Sequence, residues 1–168
     1  MTDPDPTPSL EQRLSTLLGE QSEITLATAE SCTGGNVAAR ITRIAGSSAY
    51  FQGGIVSYAN DVKEHVLGVP ASVLANPGAV SEECARAMAE GARERLGATL
   101  AVSTTGIAGP DGGTARKPVG LVYIGIAAGS RTKLERHQFP GDRAAVIAAA
   151  TNRALELLVE NATALSKM

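Results

Sequence analysis

Thr28-Ala29-Glu30-Ser31-Cys32-Thr33-Gly34-Gly35 follows the apolar run Ile24 to Ala27 and precedes a stretch with helical periodicity. A buried strand that stops at a hydroxyl-rich Gly-Gly turn and then enters a helix exposes backbone N–H groups beside a candidate nucleophile. That arrangement suits a protein that binds an anion or stabilises an oxyanion, with Ser31 as the best-placed hydroxyl. It also sets the fold, because a strand followed by a helix calls for a crossover connection.

Outward from this stretch, strands and helices alternate. Residues 1–9, Met-Thr-Asp-Pro-Asp-Pro-Thr-Pro-Ser, read as a Pro-rich disordered tail, and 10–162 as one domain. Leu10, Leu14, Leu17 and Leu18 recur at helical spacing after a Ser9 cap, so a helix is expected to about Gly19. Ile24–Thr28 reads as a strand, Gly34–Ile44 as a helix, and Ala49–Tyr58 as a strand interrupted or bulged at Gly53-Gly54. Asn60–Leu67 and Ser81–Leu96 read as helices, the second capped by Ser81 with Glu82 and Glu83 at its positive end. Ala98–Thr104 and Val119–Ala127 are expected strands, joined by a long loop containing Gly106, Gly109, Pro110, Gly112 and Gly113. Gly129-Ser130 signals a hairpin to Lys133–Phe139, and Asp142 to about Val159 closes the chain as a helix. The sum is a single-domain α/β protein with a mixed sheet covered on both faces.

Composition narrows the function. The chain has 168 residues, 43% apolar and 19% charged, with a net charge of −2 and few aromatics. Balanced charge and scarce aromatics argue against a nucleic-acid surface. No apolar run is long enough to span a bilayer and no signal pattern opens the chain, so a cytoplasmic protein is expected. Cys32 and Cys84 lie in unlike contexts, and with only His65 and His137 no metal site is expected. Neither a cofactor nor a nucleic-acid partner is called for.

An activated serine needs a base. His65 sits in a short helix and His137 in an edge strand among charges, so neither is an attractive partner. Lysine is the alternative where burial lowers its pKa. The chain has eleven arginines and four lysines, Lys63, Lys117, Lys133 and Lys167. By composition alone, Lys63 and Lys117 read as solvated lysines, and Tyr58 as a packing residue with a wet hydroxyl. The loop Thr104 to Thr114 matches neither a P-loop nor a dinucleotide fingerprint, yet its length favours a role in binding. Arg143, at the start of the last helix where acids are usual, points to an anion such as a phosphate.

Five strings together resemble the CinA C-terminal domain family: Thr28 to Gly35, Gly46-Ser47-Ser48-Ala49-Tyr50-Phe51-Gln52-Gly53-Gly54, Tyr58-Ala59-Asn60-Asp61-Val62-Lys63, Gly78-Ala79-Val80-Ser81-Glu82-Glu83 and Thr105 to Thr114. The resemblance covers roughly residues 10–160. It implies a three-layer α/β/α sandwich on a mixed, mostly parallel sheet. The family includes stand-alone nicotinamide-nucleotide amidases, which hydrolyse the carboxamide of nicotinamide mononucleotide to nicotinate mononucleotide and ammonia without a metal. By that resemblance Ser31 is the nucleophile and Lys63 its general base, with Tyr58 in the catalytic group. Substrate binding falls to Thr33, Gly34, Gly35, Asn60, Thr105, Gly106, Gly109 and Arg143.

The chain departs from the family at Ile147, where a second basic residue is common one turn after Arg143. Many relatives carry a larger N-terminal domain with a nucleotide pyrophosphatase activity, which the resemblance does not extend to this chain. The rival readings are a non-catalytic nucleotide-binding or regulatory module of the competence/damage-inducible type, and Cys32 in place of Ser31 as nucleophile. A homo-oligomer is compatible with the sequence.

Overall fold

The computed structural model describes residues 7–19 and 22–167. Its elements run α1 (Leu10–Leu18), β1 (Leu26–Glu30), α2 (Asn36–Thr42), a 3₁₀ turn (Ser47–Ala49), β2 (Phe51–Val56), α3 (Asn60–His65), α4 (Ala71–Ala75), α5 (Glu82–Arg95), β3 (Leu100–Gly106), β4 (Leu121–Ala128), β5 (Arg131–Gln138) and α6 (Arg143–Leu165). The five-stranded sheet has the order β2-β1-β3-β4-β5. β2, β1 and β3 are mutually parallel, while β4 is antiparallel to both β3 and β5. Four of the five strands therefore point one way and only β4 runs back.

Two layers of helix cover the sheet, in keeping with an α/β/α sandwich. On one side Leu14 and Leu18 of α1, Val37 and Ile41 of α2, and Val146, Leu155 and Leu158 of α6 pack on Leu26, Val102 and Ile124. On the other, Cys84, Met88 and Ala92 of α5 pack with Leu67 and Val69 on Ala27, Ala29 and Ala101. The period-two alternation of β1 explains the division: Leu26 faces the α1/α2/α6 layer, Ala27 and Ala29 the α5 layer. The second interface is built from small residues, so α5 lies close. A Cβ on Gly91 would fall 1.9 Å from the Leu67 carbonyl oxygen, and one on Gly125 2.8 Å from the Ala85 carbonyl oxygen.

Several boundaries differ from the sequence reading. β1 ends at Glu30 rather than Thr28, because its ladder continues along β3 to the pair Glu30–Thr104. The Gly53-Gly54 region does carry an irregularity: the register with β1 slips between Leu26 and Ala27, where Phe51 and then Gly53 are the partners. The 3₁₀ turn and α4 carried too little periodicity to be read, and α6 runs on past Val159 to Leu165. Ser81 caps α5 as expected, accepting from the Cys84 amide at 3.1 Å. Of the expected N-terminal tail, residues 1–6 lie outside the described residues; Ser9 forms a capping box with Gln12 at the start of α1. Among the described residues no helix is long and apolar enough to cross a membrane.

Strand direction now locates the site. The C-terminal ends of β1, β2 and β3 meet at one edge of the sheet, where β4 begins, β5 ends and α6 starts. Ligands in open α/β sheets bind at this kind of edge.

Candidate active site

Ser31 is the first residue beyond β1. Its amide donates to the Thr104 carbonyl at 2.9 Å, and the Glu30 carbonyl accepts from the Ser57 amide at 2.9 Å. Residues 30 and 31 are thus pinned on both flanks by the neighbouring strands. β2 leads through Ser57 and Tyr58 into α3, whose first turn places Lys63 on the inner side of the helix. The lysine is 1% exposed, among the most deeply buried large side chains of the protein.

Lys63 Nζ donates to Ser31 Oγ at 3.0 Å, to the Ser57 carbonyl at 2.6 Å and to the Tyr58 carbonyl at 3.3 Å. Burial pushes the Lys63 pKa below its usual 10.5, against a smaller opposing effect from the Cys84 and Cys32 thiols. The three acceptors match the three N–H directions of an ammonium. Removal of the proton facing Ser31 leaves two N–H groups on the carbonyls and a lone pair aimed at the serine hydroxyl.

A cavity of about 220 Å³ opens over this pair, lined by Ser31, Cys32, Tyr58, Asn60, Lys63, Ala79, Val80, Thr105, Gly106, Ala108 and Arg143. The Thr105 hydroxyl donates to the Ala79 carbonyl at 2.7 Å, holding the segment before α5 against β3 and leaving its lone pairs free. Tyr58 is 61% exposed, and its phenolic oxygen accepts from Arg143 Nη2 at 3.0 Å. The phenolic proton is therefore free to donate. Arg143 Nη1 donates to the Gly109 carbonyl at 2.9 Å, so two contacts steady the guanidinium at the cavity mouth. A second, more apolar hollow of about 570 Å³ shares Ala108 and Arg143 with the first and includes Ile147.

Of the residues singled out in the sequence, Ser31, Lys63, Tyr58, Asn60, Thr105, Gly106 and Arg143 line one cavity. Thr33, Gly34, Gly35 and Gly109 do not. Thr33 is fully buried, its hydroxyl 2.6 Å from Glu30 Oε2 and 2.7 Å from Thr104 Oγ1. The Gly34 amide is used by the Ser31 carbonyl and the Gly35 amide by Glu30. Gly109 contributes only the carbonyl that anchors Arg143.

Glu30 is the residue that sequence reading passed over. It is 1% exposed and accepts from Thr33 Oγ1 and from the amides of Gly35, Val37 and Ala38. The start of α2 is thereby filled from within by a side chain, so it offers no vacant anion site. In the same turn the amides of Cys32 and Thr33 have no oxygen acceptor among the described residues. Cys32 reaches the cavity, but burial pushes its thiol up to about 12, which keeps it protonated and poorly nucleophilic. Among the described residues no three His, Cys, Asp or Glu side chains gather as a metal-ligand set.

Fold and site together define a three-layer α/β/α protein with a buried serine–lysine pair at the C-terminal edge of its parallel strands. The sequence matches the CinA C-terminal domain family over residues 7–162, and the chain belongs to that family. It is 58% identical over 134 residues to a CinA-like protein of Citrifermentans bemidjiense, and 53% identical over 135 to a putative competence-damage inducible protein of Desulforudis audaxviator. Each match takes in 80% of this chain but only 32% and 33% of those relatives, so the chain spans about a third of their length. Among solved structures, the competence/damage inducible protein CihA of Agrobacterium tumefaciens superposes with a TM-score of 0.87 at 42% identity, over 90% of this chain and 92% of that one. A CinA-superfamily protein of Klebsiella pneumoniae superposes with a TM-score of 0.86 at 36% identity, over 92% and 96%.

Proposed function

We propose that this protein is an amidohydrolase of the Ser/Lys type acting on nicotinamide mononucleotide in pyridine-nucleotide salvage. The observation that carries the reading is the 3.0 Å approach of Lys63 Nζ to Ser31 Oγ inside a cavity. Taking a lysine to 1% exposure with no carboxylate partner costs stability. A fold retains such a cost most readily where a neutral amine has work to do.

In this mechanism Ser31 Oγ bonds to the carboxamide carbon as its proton passes to the Lys63 amine. The developing oxyanion takes a hydrogen bond from the amide of Cys32, which lines the cavity beside Ser31, a kind of contact whose loss typically costs about 10²–10³ in kcat. Collapse breaks the C–N bond, and Lys63 returns the proton to the departing amine to give ammonia. Water then attacks the acyl carbon while Lys63 takes its proton. The acyl–oxygen bond to Ser31 breaks, and the serine recovers its hydrogen from Lys63.

At about 220 Å³ the cavity falls below the ~300–1,000 Å³ range of pockets that enclose whole drug-sized ligands. It suits the carboxamide ring, leaving the ribose phosphate at the mouth against Arg143 and the Tyr58 hydroxyl. With Ile147 in the adjoining hollow, Arg143 supplies the phosphate contact alone on that helix turn. The test is ammonia release from nicotinamide mononucleotide, with nicotinamide riboside and nicotinamide as controls. Release from the mononucleotide alone is expected; equal release from all three overturns the role of the phosphate, and none from any overturns the substrate assignment.

A further inference from the structure

Glu30 and Ser31 are chain neighbours, yet the strand alternation sends them to opposite sides of the sheet: Ser31 toward Lys63, Glu30 toward α2. There the Glu30 carboxylate accepts four hydrogen bonds: Thr33 Oγ1 at 2.6 Å, the Gly35 and Val37 amides at 3.0 Å and the Ala38 amide at 2.8 Å. With the Thr33 proton committed to Glu30, the 2.7 Å contact between the two threonines leaves Thr104 donating to Thr33. Thr104 belongs to β3 and its carbonyl holds the Ser31 amide, so the network closes on the nucleophile from behind.

We propose that Glu30 is the positioning residue of this site: from the face of the sheet opposite the cavity, it fixes the 31–35 turn so that Ser31 Oγ faces the reacting carbon while the free Cys32 amide faces the oxygen bonded to it. The inference rests on the Ser31–Lys63 hydrolase reading and deepens it. Five consecutive residues that include two glycines of positive φ, Gly34 at 59° and Gly35 at 98°, form a turn with little stiffness of its own. A carboxylate that ties the side chain at 33 to the amides at 35, 37 and 38 supplies that stiffness. Errors of an ångström in such geometry are enough to lose catalysis. By filling the α2 N-terminus with negative charge, Glu30 also keeps the phosphate away from that end and at Arg143.

The experiment uses the whole chain and an alkyl fluorophosphonate. In that reaction Ser31 Oγ bonds to phosphorus, the P–F bond breaks to release fluoride, and the serine proton passes to Lys63. The readout is the second-order rate of Ser31 modification, located by peptide mass spectrometry, across pH. Glu30→Gln places an N–H₂ group against N–H donors, and is expected to lower the plateau rate roughly 10- to 100-fold, the range that loss of an orienting partner behind a metal ligand produces. The ascending limb of the pH profile is expected to stay in place, since Lys63 remains buried as before.

Thr33→Val, which removes one donor and the link to Thr104, is expected to lower the rate in the same sense by less, and decides the matter if Glu30→Gln fails to fold. Folded variants labelled within threefold of the native rate overturn the proposal. So does a displaced limb with an unchanged plateau, because Glu30 would then act on the charge of Lys63 rather than on the turn. Ser31 that labels normally in a protein releasing no ammonia from nicotinamide mononucleotide removes only the substrate assignment.

Discussion

Lys63 Nζ lies 3.0 Å from Ser31 Oγ, held there by the carbonyls of Ser57 and Tyr58, the residues that join β2 to α3. The same burial that isolates the pair lowers the Lys63 pKa from 10.5. A base must be neutral to act, so kcat/KM should rise with pH along a limb whose midpoint lies below 10.5. Lys63→Arg retains the charge but cannot deprotonate at working pH. It is expected to lose roughly 10²–10⁴ in kcat while binding substrate within a few-fold of the native protein. Near-native turnover by folded Lys63→Arg would remove Lys63 from the mechanism.

Ser31 and Cys32 are adjacent and both reach the cavity, but only Ser31 touches the base. Cys32, its thiol pushed up to about 12 by burial, is held as packing. Ser31→Ala should abolish ammonia release with the fold intact. Cys32→Ala should keep most of it and lose some stability, about 1 kcal/mol from the vacated volume. Dead, folded Cys32→Ala beside active Ser31→Ala would invert the assignment.

Arg143 and Tyr58 form a clamp across the mouth, joined by the 3.0 Å bond from Nη2 to the phenol. Arg143→Ala should raise KM for the mononucleotide by tenfold or more, since a charge-assisted contact to phosphate contributes roughly 1.5–3 kcal/mol. Because Ile147 adds no second cation, Ile147→Arg should lower KM. Steady-state kinetics on both variants check this, and a KM unmoved by Arg143→Ala would place the phosphate elsewhere.

The strands and the longer helices were legible because their signals are local: the leucine spacing of α1 after Ser9, the Ser81 cap, the Gly129-Ser130 turn. The convergence of Ser31, Lys63, Thr105 and Arg143 was not local, and rested on family resemblance until strand order brought the C-terminal ends of β1, β2, β3 and β5 together. Composition favoured a solvated Lys63, because what buries it is packing of α3 on distant segments. Glu30 was missed for a related reason. A glutamate at a strand end reads as surface, and only the 31–35 turn together with the start of α2 supplies its four donors. The parity of β1 held a usable signal, since Glu30 falls on the same side as Leu26.

Gly91 sits in α5 where the helix passes the Leu67 carbonyl, and a Cβ there would come within 1.9 Å of that oxygen. Backbone cannot yield as a flexible side chain can. Gly91→Ala should therefore destabilise by about 1–3 kcal/mol or more, although alanine is the better helix former by about 1 kcal/mol. Chemical denaturation checks the sign; a stabilised Gly91→Ala would mean that α3, α4 and α5 shift apart at little cost.

Glu135 on β5 accepts from Arg153 Nε and Nη2 of α6 at 2.9 and 2.8 Å, tying the edge hairpin to the last helix. Arg153, with help from His137, holds the Glu135 carboxyl well down, from 4.5 to about 2. A carboxylate with a depressed folded pKa contributes stability that is present above its unfolded value of about 4.5 and is lost as pH falls toward 2. Glu135→Gln should therefore lower the urea midpoint at pH 7, and the gap should close between pH 4.5 and 2. Both groups are about a quarter exposed, so solvent screening makes the effect smaller than that of a fully buried pair. A gap of constant size across that pH range would mean that the contact contributes through packing and neutral hydrogen bonds, with no share from the charge.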